Sequence, residues 1–132
     1  MIYYKKRRKY KYNLHGDYEY KADIKVEEPS DLGYVKISQD GLLTIKKGYA
    51  WDGPSGPTFD TKNFMKGSLV HDALYQLIRE EKINEDQRKR SDEILKEICL
   101  EAGMSKIRAW WVFLGVHWFG ASSAKQDLLS AP

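Results

Sequence analysis

Residues 48–60 read Gly48-Tyr49-Ala50-Trp51-Asp52-Gly53-Pro54-Ser55-Gly56-Pro57-Thr58-Phe59-Asp60, and the character of the chain changes across them. Two prolines and three glycines in so short a stretch specify a tight, irregular loop. On its N-terminal side the apolar period is two. On its C-terminal side it is three to four. That switch predicts an α+β fold: an antiparallel β-meander of about four strands, then three packed α-helices.

Working back from the loop, Leu42 to Lys46 and Tyr34 to Ser38 flank Gln39-Asp40-Gly41, where Asp-Gly is a strong hairpin signal. Tyr18, Tyr20, Ala22, Ile24 and Val26 alternate with charged residues and predict one long strand that stops at Pro29-Ser30-Asp31. Tyr10, Tyr12 and Leu14 alternate before it, across a turn at His15-Gly16-Asp17. Working forward, Thr61 or Asn63 can cap a first helix that runs to about Glu80. Asn84 and Gln87 suggest a capping box for a second helix, which Gly103 closes as a C-cap. Ser105 caps a third helix with Ile107, Trp110, Trp111, Phe113, Leu114, Trp118 and Phe119; so apolar a helix should be the central packing element or face a partner subunit. A single domain over 1–132 is expected: 1–47 mostly β, 48–60 the loop, 61–122 helical and 123–132 a small polar tail.

The composition is globular, with 42% apolar, 13% aromatic and 31% charged residues. Cys99 is the single cysteine, which excludes an intrachain disulfide and suits a reducing compartment. No apolar run reaches the length of a membrane span, and the basic residues after Met1-Ile2-Tyr3-Tyr4 are not arranged as a secretory signal. Residues 1–12 carry six positive charges and no acid, so the other 120 residues hold a net −3 against the total of +3. Such a strand can touch nucleic-acid phosphates, but lysines on an edge strand also block aggregation, and the acidic remainder argues against a dedicated nucleic-acid binder.

The helices carry the chemistry. Phe64, Gly67, His71, Leu74, Tyr75 and Ile78 recur at three- and four-residue steps, which puts His71 on an inward stripe. Asp92, Leu95, Cys99 and Ala102 form a similar stripe on the second helix. A buried imidazole and a buried carboxylate both need partners, and the simplest solution pairs Asp92 with one nitrogen of His71. The second nitrogen is then available to a water or hydroxyl, as a general base requires. Asp72 lies about 100° further round the helix and, with Asp52 and Asp60, could offer oxygen ligands to calcium or magnesium. The structural alternative is a His–Asp strut between two helices. Ser55 lacks a G-x-S-x-G setting and reads as a turn residue, Cys99 as a core thiol and His117 as a packing residue.

Gly48-Tyr-Ala-Trp-Asp-Gly-Pro-Ser-Gly-Pro, then His71-Asp-Ala-Leu-Tyr and Ser91-Asp92, resemble a family carried by phages and prophages, a domain of unknown function (number 1353). The resemblance covers roughly residues 30–122. His71-Asp72-x-x-Tyr75 with Asp92 on the next helix also looks like the core of the phospholipases A2. That likeness implies His71 as base, Asp72 as calcium ligand and Asp92 as the carboxylate that orients the base. Trp51-Asp52-Gly53-Pro54 differs from the calcium loop of those enzymes, and their disulfides are absent.

Three functions are consistent with this reading. The first is a phage accessory module that binds a small ligand, a host factor or a virion partner through Tyr49, Trp51, Gly53, Ser55 and Tyr75, in host cytoplasm or on the virion. The second is a metal-assisted ester or phosphoester hydrolase with His71 and Asp92 catalytic and Asp72 and Asp52 binding Ca2+ or Mg2+. The third is a minor structural virion protein that forms a homo-oligomer through the Trp-rich last helix.

Overall fold

Strand alternation in the first part of the chain resolves into seven short strands among the described residues of the computed structural model, which are 2, 4–6, 12–51 and 62–117. They are β1 (Tyr4–Lys6), β2 (Tyr12–Leu14), β3 (Tyr18–Lys21), β4 (Ser30–Asp31), β5 (Val35–Ile37), β6 (Leu42–Ile45) and β7 (Ala50–Trp51). The helices are α1 (Lys62–Arg79), α2 (Arg88–Glu101) after a short 3-10 turn (Glu85–Gln87), and α3, helical over 106–117. The fold is α+β, with antiparallel strands followed by three helices.

The strands form two sheets, β1-β2-β7 and β3-β6-β5-β4, with every pairing antiparallel. The meander holds through β4, β5 and β6, and β3 joins the far side of β6. Gly41 ends the β5–β6 hairpin at φ +90°, the left-handed conformation that a three-residue loop requires. The alternation through Val26 reads as one strand, but the ladder stops at the Lys21–Leu42 pair. Beyond it the partner turns away: Ala22 N–H bonds the Gly41 carbonyl at 2.8 Å, and among the described residues no ladder partner follows. Ala22 and Val26 stay buried, and Lys25 N–H instead donates to Gln87 Oε1 at the start of α2. That use of Gln87 also replaces the expected capping box; Asn84 caps the 3-10 turn by accepting from Asp86 N–H.

One core runs through both sheets, α1 and α2. The central helix is α1, buried on several faces by Leu69, Val70, Ala73, Leu74, Leu77 and Ile78. Of the two expectations for α3, a central packing role is not met: Ala109 and Val112 pack on a smaller cluster with Phe64, Leu95, Cys99 and Met104, while Ile107, Trp110 and Trp111 face outward. Trp118 and Phe119 lie outside the described residues. Ser105 caps α3 as its sequence suggests, its Oγ accepting from Arg108 N–H. Asn63 lies within α1, so it is not that helix's cap.

Both α1 and α2 end on a left-handed residue with the paired backbone bonds of a Schellman motif. At the end of α2 the residue is Gly103, with Met104 N–H on the Cys99 carbonyl and Gly103 N–H on that of Leu100. At the end of α1 it is Glu81 at φ +60°, with Lys82 N–H on Leu77 and Glu81 N–H on Ile78. A side chain at that conformation costs about 1 kcal/mol relative to glycine. Glu81→Gly is therefore expected to raise stability by about 0.5–1 kcal/mol; a drop in the urea midpoint would contradict this.

Close approach of α1 and α2 brings the polar residues together. Gly67 makes it available: a Cβ there would stand 2.8 Å from Leu95 Cδ1 and 3.0 Å from Cys99 Sγ. Four residues further along α1, His71 then meets Asp92 across the helix pair.

Candidate functional site

Asp92 is the centre of the site. Its side chain is fully buried, and groups from all three helices converge on it. On Oδ1 it accepts from His71 Nε2 at 2.7 Å and from the Tyr75 hydroxyl at 2.6 Å, both on α1. On Oδ2 it faces His117 Nδ1 of α3 at 3.3 Å and Arg88 of α2 at 3.6 Å, one helical turn before it. Arg88 also donates to the His117 backbone carbonyl at 2.9 Å.

The acceptor fixes the donors. A carboxylate accepts, so the contact with Asp92 assigns the Nε2–H form to a neutral His71 ring. Burial, and then the bond to Asp92, push the Tyr75 phenol well above its ordinary value, so it stays a donor. The Tyr75 ring also lies 4.2 Å from the His71 ring, centroid to centroid, and limits its rotation. Among the described residues no partner engages His71 Nδ1, and no buried side-chain nitrogen or oxygen lacks a partner. The His71 side chain keeps 9% of its surface exposed. A histidine held through one nitrogen by a buried carboxylate, with the other accessible, can take a proton from water.

The other expected site residues are placed as follows. Asp72 is half-buried beside His71 and has a partner of its own. Asp52, Gly53, Ser55 and Asp60 lie outside the described residues. Tyr49 and Trp51 are buried in the core, where Trp51 Nε1–H donates to Ser68 Oγ at 3.1 Å. Among the described residues no three His, Cys, Asp or Glu side chains gather as a metal site. Burial pushes the Cys99 thiol up to about 12, which makes it an inert core group. Arg88 and His117 are the site residues that sequence reasoning missed; the i,i+4 spacing of Arg88 and Asp92 was a legible signal for the first.

Residues 25–116 match the family described as protein of unknown function (DUF1353). The chain belongs to this family. No curated protein and no solved structure matches it. The DUF1353 match takes in His71, Asp72, Tyr75, Arg88 and Asp92 and stops one residue before His117. No described helix is long and apolar enough to cross a membrane.

Proposed function

We propose that the chain is a hydrolase of esters or phosphoesters in which His71 Nδ1 is the general base. The observation that carries this reading is the His71–Asp92–Tyr75 arrangement, which holds Nε2 and leaves Nδ1 without a partner among the described residues. Water gives a proton to Nδ1 as its oxygen attacks the carbonyl carbon or phosphorus. The imidazolium that forms is stabilised by the Asp92 carboxylate at 2.7 Å and then protonates the departing alkoxide. The phage binding-module reading relies on Tyr49 and Trp51 as contact residues, and their burial removes weight from it. Calcium or magnesium at Asp72 and Asp52 is a separate part of the proposal. Calorimetric titration tests it: cation binding should vanish in Asp72→Asn, and binding that survives would remove Asp72 from the ligand set.

His71→Gln is the informative variant. Its amide can still donate to Asp92 near the Nε2 position, but it offers no base. Chromogenic carboxylic and phosphoric esters and phospholipid vesicles are the substrates to assay. Wild-type protein is expected to turn over at least one class, and His71→Gln to lose that turnover with its circular dichroism unchanged. Equal turnover in the folded variant, or none of these substrates hydrolysed by wild type, would overturn the reading.

A further inference from the structure

A histidine on α3 completes the arrangement around Asp92, and its position is not explained by packing alone. The His117 side chain is about one-third exposed, so its ring does not fill a core void. Three contacts nevertheless fix it. Its ring stacks on Phe113, one turn back, at 5.6 Å and 6°. Its carbonyl accepts from Arg88. Its Nδ1 lies within hydrogen-bond distance of Asp92 Oδ2 at 3.3 Å, while Arg88 stands further off at 3.6 Å. Oδ1 meanwhile takes both donors from α1.

A carboxylate with donors on one oxygen only can rotate about its Cβ–Cγ bond and exchange its oxygens. A donor on the second oxygen fixes the plane. We infer that His117 is a positioning residue: by donating Nδ1–H to Asp92 Oδ2 it locks the carboxylate plane, and so locks His71 in its Nε2–H tautomer with Nδ1 presented. The consequence for turnover rests on the hydrolase reading; the effect on the His71 tautomer does not. Through Arg88 the lock also depends on α3 being seated, because the same guanidinium holds the His117 carbonyl.

Histidine-selective 15N NMR of the whole chain tests this without a substrate. Wild type should show His71 protonated on Nε2 and His117 on Nδ1; a His117 protonated only on Nε2 overturns the inference outright. His117→Phe keeps the stack on Phe113 and removes the donor, whereas His117→Asn keeps an amide donor close to the Nδ1 position. In folded His117→Phe the His71 signals should move to a mixture of tautomers, and in His117→Asn they should return to the wild-type pattern. Unchanged His71 signals in folded His117→Phe would equally overturn it. Where an ester is turned over, kcat should fall about ten- to a hundredfold in His117→Phe at constant KM and recover in His117→Asn, the size expected for a partner that orients a functional histidine. Absence of turnover in wild type together with the expected tautomer changes would sink the hydrolase reading and leave the positioning role standing.

Discussion

Asp92→Ala is expected to cost about 3–5 kcal/mol of folding stability, the loss seen when one partner of a buried charged cluster is removed. The carboxylate has no exposed surface and is the shared acceptor for His71, Tyr75 and His117, with the Arg88 charge beside it. Alanine would leave those donors without their shared acceptor. Asp92→Asn should cost less, about 1–3 kcal/mol, because its carbonyl can still serve one side while its amide meets a donor on the other. Against a total stability on the order of 5–15 kcal/mol, the alanine variant stands near the edge of folding. Guanidinium unfolding of both variants checks the order. An Asp92→Ala protein within 1 kcal/mol of wild type would show that the cluster is not built around this carboxylate. The loss measures an uncompensated cluster and not its net worth, since a wholly apolar replacement could be nearly neutral.

The path from sequence to this site was short where helix geometry alone decides. His71 and Tyr75 fall on the stripe of Phe64, Leu74 and Ile78, and Asp92 on that of Leu95, Cys99 and Ala102, so helix spacing turns them inward, and all three are buried. The pairing of His71 with Asp92 followed from the cost of leaving either alone. His117 was invisible to that logic. Its neighbours Val116 and Trp118 suggest packing, and only the position of α3 shows that it reaches Asp92. A signal was nonetheless present: a buried carboxylate has lone pairs for more donors than one histidine supplies. The long alternating run from Tyr18 to Val26 misled for a different reason. Alternation reports which side chains face the core, and Ala22 and Val26 do, but a strand also needs a partner, and the turn at Gly41 takes it away. Apolar content left α3 open between a central and a partner-facing role, because a count of tryptophans does not say which face they occupy; Trp110 and Trp111 are exposed.

Trp51→Ala is expected to cost about 3–5 kcal/mol, because a buried indole loses both its packing and a hydrogen bond. Trp51 is 2% exposed, on a strand paired with β2, so it sits directly across from Tyr12, whose ring is 5.6 Å away. The Tyr49 ring lies 6.5 Å away on the same short segment. The Trp51 Nε1–H donates to Ser68 Oγ, whose own hydroxyl is spent on the Met65 carbonyl, so the indole ties the small sheet to α1 three residues before His71. Trp51→Phe separates the two terms: it keeps most of the packing and gives up the bond to Ser68, for a loss of about 1–2 kcal/mol. The comparison also decides between two roles for this residue. An aromatic that covers a ligand loop could be trimmed to alanine with little effect on folding and a large effect on binding. An indole in the core behaves the other way: the alanine variant should unfold at a much lower guanidinium concentration, and its loss of function should follow its loss of structure. Wild-type stability in Trp51→Ala would return this residue to the ligand-contact role and reopen the binding-module reading.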